Sequence, residues 1–167
     1  MYVSQGVEVD AICKKASNPS FCRNIVNSKP GGIANADLVG IAQYVVDVTR
    51  VNVTNTIKLI HKLIRRNVNN SDAREHYTLC LKHFNYETGA LRRVELTQET
   101  LKKRDYSSLN MNAVAINTNI NLCLDGELPT DDFNPFHDTS LLPTFADAIS
   151  QVIEIIIIVS DMLYPNV

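Results

Sequence analysis

Cys13-Lys14-Lys15-Ala16-Ser17-Asn18-Pro19-Ser20-Phe21-Cys22 is the stretch on which the reading of this chain turns. Its two cysteines close a short loop, and Asn18-Pro19 inside it is a turn signal. The residue before a proline avoids the helical region, and the proline is suited to start a following helix. Residues 4–28 therefore read as short helical pieces folded back around the loop. Ser28-Lys29-Pro30-Gly31-Gly32 behind them is the clearest loop signal in the sequence. Two further cysteines, Cys80 and Cys123, lie far downstream. An even set of four reads as two disulfides in an oxidising compartment, with three connectivities open. A zinc site needs paired ligands at short spacing, and no Cys-x-x-Cys occurs.

The chain has 167 residues, enough for one domain (1–167) with a real core, and 45% of them are hydrophobic. Glycine is scarce, at six residues, which favours helices over a turn-rich all-β fold. The formal net charge of -2 gives no reason to expect a nucleic-acid partner. The basic runs Lys62–Arg66, Arg92–Arg93 and Lys102–Arg104 read as solvated helix faces. The longest unbroken apolar run, Ile155–Val159, is far short of the roughly twenty residues that span a bilayer, so no membrane segment is expected. Met1–Gly6 lacks the pattern of a signal peptide, so the chain is read as a mature form with its leader removed. Asn52-Val53-Thr54 and Asn69-Asn70-Ser71 are N-glycosylation sequons, with Asn52 and Asn69 as acceptors; proline disqualifies Asn18-Pro19-Ser20.

Helical periodicity organises the remainder. A first long helix is expected over 36–68, with Asn35 as its cap and Asp37 placed early for the helix dipole. A second is expected over 72–103, capped by Ser71 or Asp72. Its period slips at Asn85-Tyr86-Glu87-Thr88-Gly89, and Gly89 inside a helix costs about 1 kcal/mol relative to alanine, so a bulge, kink or break is expected there. A third helix over 106–124 starts at Asp105 as N-cap and buries Leu109, Ala113, Ile116, Ile120 and Cys123. Asn110, Asn117 and Asn121 share another of its faces. A loop through Pro129 and Pro135 fills 125–140, and a last helix over 141–164 is apolar all round at Ile155–Val159. The sum is an all-α antiparallel bundle. In an antiparallel pair of second and third helices Cys80 comes level with Cys123, a natural geometry for a bridge.

No catalytic motif appears. Glu-x-x-His, His-Glu-x-x-His, a P-loop and Gly-x-Ser-x-Gly are all missing, His61, His76, His83 and His137 do not cluster with the cysteines, and His76 and His83 read as surface histidines. No catalytic residue, cofactor or metal is expected.

The cysteine frame then acquires a context. Five motifs occur in order: Cys13-x8-Cys22 with Asn18-Pro19 and Phe21; Asp37-Leu38-x-Gly40-Ile41-Ala42; Tyr77-x-x-Cys80; Asp105-Tyr106-Ser107-Ser108-Leu109-Asn110; and Thr118-Asn119-x-x-x-Cys123-Leu124-Asp125-Gly126. Their order and spacing resemble the plant invertase/pectin methylesterase inhibitor family over about residues 7–164. The resemblance implies an up-down-up-down four-helix bundle (33–164) with an N-terminal helical hairpin (4–32) and bridges Cys13–Cys22 and Cys80–Cys123. It implies a secreted protein of the plant apoplast or cell wall that is not an enzyme. Such a protein inhibits a carbohydrate-active enzyme by covering its active-site cleft in a non-covalent one-to-one complex.

Invertase inhibitors of the family share a Pro-Lys-Phe motif where this chain has Tyr106-Ser107-Ser108, which is similar to the pectin methylesterase inhibitors. Pectin methylesterase is therefore the expected target. Acid invertase is the alternative, and a secreted bundle with no enzyme target is a second alternative. Expected contacts are Tyr86, Glu87, Asp105, Tyr106, Asn110, Asn117, Asn121 and Asp125. The span from Cys80 to Asp105 is longer than the family pattern by nearly one helical turn, near Asn85–Gly89. The expected oligomeric state is a monomer, or a homodimer exchanging the hairpin about Ser28–Gly32.

Overall fold

The structure, a computed structural model, describes residues 9–127 and 136–164. Residues 4–8 of the expected hairpin, and Pro129 and Pro135 of the expected loop, lie outside the described residues. The described chain is helical: α1 Val9–Cys13, α2 Pro19–Asn27, α3 Leu38–Arg66, α4 Ser71–Phe84, α5 Ala90–Lys102, α6 Tyr106–Asp125 and α7 Leu142–Leu163. α3 packs on α4, α5 and α7, and α6 packs on the same three, so α4 and α5 together act as one bundle helix broken in two. α3 and α5 run antiparallel, with Gln43 meeting Gln98 and Arg50 meeting Glu95, and α1 and α2 form the hairpin beside α7 and α3.

The hairpin forms as the Asn-Pro signal requires. The Asn18 carboxamide oxygen accepts from the Phe21 N–H at 3.1 Å, capping α2, and Pro19 occupies its first turn. Cys13 and Cys22 are bridged with Cα atoms 5.5 Å apart, and with Ile12 and Val26 they are buried. The hairpin is docked on its own bundle: the Ser17 N–H and hydroxyl both donate to Glu154 Oε1, at 2.9 and 2.8 Å. Ser28 and Tyr44 hydroxyls meet at 2.6 Å.

The core stripe of α3 includes Ile41, Val45, Val46, Val53 and Ile60, all fully buried. Helix α7 is long and apolar enough by length and composition to cross a membrane. Its apolar surface is instead taken up inside the bundle: Ile149, Val152, Ile153, Ile155, Ile156 and Val159 are fully buried between α3, α6 and the hairpin. Each such side chain contributes roughly 1.5–3 kcal/mol of hydrophobic stabilisation. Polar cross-links tie α3 to α5. The Gln43 and Gln98 carboxamides exchange two hydrogen bonds of 2.6 and 2.7 Å, and the Arg50 guanidinium lies 2.9 Å from Glu95.

The helix caps correct two sequence assignments. Asp37, not Asn35, caps α3: its carboxylate accepts from the Gly40 N–H at 2.7 Å, and the helix begins just after it. Asn70, not Ser71 or Asp72, caps α4 by accepting from the Ala73 N–H, because Ser71 is already the first helical residue. The second long helix is two helices with a real break. Arg104 closes α5 in the left-handed region (φ 56°), with the Asp105 N–H donating back to the Thr100 carbonyl at 3.0 Å. Glycine is the residue suited to that position. Arg104→Gly is therefore expected to stabilise the fold by about 0.5–1 kcal/mol, read as a raised urea midpoint at unchanged slope.

Candidate partner-binding face

Helix α6 is anchored along one side by Leu109, Ala113, Ile116, Ile120 and Cys123, all fully buried. Steps of four and three on the opposite side give Ser107, Met111, Val114, Thr118, Asn121 and Asp125, every one exposed. This outer ridge runs the length of the helix. Its middle is apolar: Met111 is 68% exposed and Val114 45%. Beside it, Arg93 of α5 with Ser108, Met111, Asn112 and Ala115 lines a groove of about 220 Å³.

The expected contact residues fall into three groups. Asn121 and Asp125 stand on the ridge, and Tyr86 and Glu87 project from the α4–α5 break, Tyr86 being 56% exposed. Asp105 is exposed but employed as the α6 cap, its carboxylate accepting from the Ser108 N–H at 3.1 Å. The hydrogen bonds from Ser108, side chain then backbone, hold its pKa below the ordinary carboxylate value. Tyr106, Asn110 and Asn117 are half-buried. The Asn110 amide is tied to α7, donating to Ser160 Oγ at 2.9 Å and Asp161 Oδ1 at 3.0 Å. Tyr106 and Asn110 line a cavity of about 170 Å³ with Tyr164. Asn117 keeps a buried carboxamide oxygen without a hydrogen-bond partner. Asn110 thus marks the α6–α7 seam and not the outer face. Met111 and Val114 are not among the expected contacts, and the signal that marks them is their position opposite the core stripe.

The break that presents Tyr86 and Glu87 is tightly built. Asn85 closes α4, its carboxamide oxygen accepts from the Thr88 N–H at 2.9 Å, and Gly89 starts α5. Just before it, His83 Nε2 lies 2.8 Å from Glu127 Oε1, which also accepts from Lys82 at 3.0 Å. Lys82 first, then His83, holds the Glu127 pKa below its ordinary value. One heptad earlier, His76 stacks on Phe136 with ring centroids 4.6 Å apart, its Nε2 3.8 Å from Asp138 Oδ2. Asp138 Oδ1 accepts from the Tyr77 hydroxyl at 2.8 Å and the Ser140 N–H at 2.9 Å. His76 and His83 are therefore not surface histidines, because Phe136 and Asp138 lie against the first and Glu127 against the second.

These groups set a pH dependence of stability. Burial pushes His76 below the ordinary histidine value, and Asp138 offsets this only in part. The unfolded chain takes up that proton first, so stability is full above about pH 6.5 and declines as pH falls toward the depressed folded value. Asp105 and Glu127, both depressed, add a second loss as pH falls through their folded values in the carboxylate range. Urea midpoints followed from pH 8 down to about pH 2 are expected to fall in these two steps, and His76→Phe is expected to remove the first.

All four cysteines are bridged, Cys80 to Cys123 with Cα atoms 4.4 Å apart. Among the described residues no cluster of three or more metal-ligating side chains occurs. What the geometry offers is an exposed ridge on a helix that a disulfide ties to its neighbour.

The comparisons with known proteins agree with this architecture. The family model described as plant invertase/pectin methylesterase inhibitor matches residues 7–156. A pectinesterase inhibitor of Actinidia deliciosa is 25% identical over 156 residues, covering 93% of this chain and 78% of that protein. Pectinesterase inhibitor 1 of Arabidopsis thaliana is 29% identical over 124 residues, covering 74% of this chain and 66% of the relative. The crystal structure of mutant form A of a pectin methylesterase inhibitor from Arabidopsis superposes with TM-score 0.76 at 27% identity, covering 95% of this chain and 99% of that one. The cysteine frame, the broken-helix bundle and a match along most of the sequence converge: the chain belongs to the plant invertase/pectin methylesterase inhibitor family, a family of inhibitor proteins and not of enzymes.

Proposed function

We propose that this protein is a secreted inhibitor of pectin methylesterase, acting in the plant apoplast or cell wall. It lays the α6 ridge and the α4–α5 break over the enzyme's active-site cleft in a non-covalent one-to-one complex. The observation that carries this reading is the exposed Met111–Val114 pair at the centre of a polar ridge on a core-anchored helix. An apolar centre inside a polar rim is the arrangement of a protein-binding surface. Tyr86, Glu87, Asn121 and Asp125 supply the rim. Asp105 caps the start of α6, and Asn110 ties the helix to α7.

Esterase is favoured over acid invertase by Tyr106-Ser107-Ser108 at the start of α6, where the invertase inhibitors resemble one another in Pro-Lys-Phe. The relatives named above as pectinesterase inhibitors support the same choice. A bundle with no enzyme target is the remaining reading. The hairpin docks through Ser17–Glu154 and Ser28–Tyr44, contacts that exchange about Ser28–Gly32 would remake between two copies. Size exclusion separates the monomer from the exchanged dimer.

The test of the face is a charge placed at its centre. Met111→Asp with Val114→Asp is expected to raise the inhibition constant by about 30-fold or more, since truncating or charging a central anchor costs roughly 2 kcal/mol or more. Both positions are exposed, so thermal stability is expected to stay within about 0.5 kcal/mol per site. Unchanged inhibition by the doubly charged variant would remove the α6 ridge from the interface.

A further inference from the structure

We propose that the chain carries a single N-linked oligosaccharide on Asn69, and that the sequon at Asn52 stays unmodified. Three asparagines crowd the α3–α4 turn, and two of them are occupied. The Asn67 amide donates to the Leu63 carbonyl at 2.8 Å, and the Asn70 carboxamide oxygen caps α4 at the Ala73 N–H. Asn69 between them is exposed and makes no such bond. Its sequon lies on non-helical backbone as far as Asn70, and the Ser71 side chain is exposed. The acceptor is an asparagine amide with a hydroxyl residue two positions on, and an asparagine that carries a glycan lies on a surface loop of the folded protein.

Asn52 offers the opposite setting. It lies in the middle of α3, half-buried, and walls two grooves, one of them a cavity of about 360 Å³ shared with Thr144, Phe145 and Ala148 of α7. Helical geometry turns Thr54 roughly 200° around α3 from Asn52, so hydroxyl and amide face apart. A bulky oligosaccharide on Asn52 would start in the groove between α3 and α7, whereas on Asn69 it extends from the end of the bundle into solvent. It would also cover Val68, which is 59% exposed beside it.

The co-substrate is a lipid-linked oligosaccharide diphosphate. The bond from sugar C1 to the diphosphate oxygen breaks, C1 bonds to Asn69 Nδ2, the amide gives up one proton, and the polyprenyl diphosphate leaves with the bonding electron pair. The inference is independent of which enzyme the protein inhibits.

The experiment is to secrete the full chain behind a supplied leader from a plant or yeast host. Intact mass and glycopeptide mapping are then read before and after peptide N-glycanase. One glycan, mapped to Asn69, is expected on the unaltered chain and on Asn52→Gln, and none on Asn69→Gln or Ser71→Ala. A chain secreted without glycan, a glycan retained in Asn69→Gln, or occupancy of both asparagines would overturn the proposal. Mapping on the unaltered chain decides the matter even if a variant fails to fold.

Discussion

Gly89→Ala is expected to lower the unfolding free energy by about 3 kcal/mol, as a loss of urea midpoint at unchanged slope. A Cβ on Gly89 would stand 2.5 Å from the His83 carbonyl carbon and 2.6 Å from both the His83 oxygen and the Asn85 nitrogen. All three are backbone atoms, so no side-chain rotation relieves the overlap. The chain reverses tightly here: the Asn85 N–H donates to the Leu81 carbonyl and the Gly89 N–H to the Asn85 carbonyl. Accommodating a methyl group means moving the start of α5 away from the end of α4. That shift would disturb the buried His83, Phe84 and Ala90 together. Thr88→Ala is the control: it removes hydrogen bonds to Asn85 and the Lys82 carbonyl without adding bulk, and about 1 kcal/mol is expected. Because Tyr86 and Glu87 ride on this joint, residual folded Gly89→Ala protein is also expected to inhibit less well.

Removing the Cys80–Cys123 bridge as Cys80→Ala/Cys123→Ala is expected to cost about 4 kcal/mol, from the entropy of opening the loop it closes in the unfolded chain. For a chain of this size that corresponds to a fall in Tm of roughly 8–16 °C. The sequence separation is 43, against 9 for Cys13–Cys22, whose removal is expected to cost about 2.7 kcal/mol by the same reasoning. The two losses should also differ in kind. Cys80–Cys123 joins α4 to α6 inside the bundle, so its loss loosens the seat of the candidate face. Cys13–Cys22 joins α1 to α2 within the docked hairpin. Calorimetry of the two double variants gives the ordering directly, and equal losses would contradict the loop-length explanation.

The elements that could be read from sequence are those whose signals are local. Asn18-Pro19 specifies a helix start because proline fixes its own backbone and restricts its neighbour. The stripe from Leu109 to Cys123 specifies a buried helix face because its spacing repeats every turn. What stayed hidden depended on distant partners. Nothing near His76 announces that Phe136 will stack on it, and nothing near His83 announces Glu127. Gly89 reads as a weak helix residue at about 1 kcal/mol, yet its requirement comes from the close approach of the His83 backbone. The candidate face was half legible. Helical spacing groups Asn110, Asn117 and Asn121 on one face, but Asn110 is claimed by Ser160 and Asp161 across the α6–α7 seam while Asn121 is exposed. Met111 and Val114 were overlooked because apolar residues on a helix are read first as core.

The most direct measurement is a titration of a purified pectin methylesterase with this protein, following methanol release, beside a parallel titration of acid invertase following sucrose hydrolysis. Esterase activity is expected to fall to a one-to-one end point while invertase activity is unchanged. Full esterase activity in large molar excess of the protein, with the bundle intact and both disulfides formed, would contradict the proposed function.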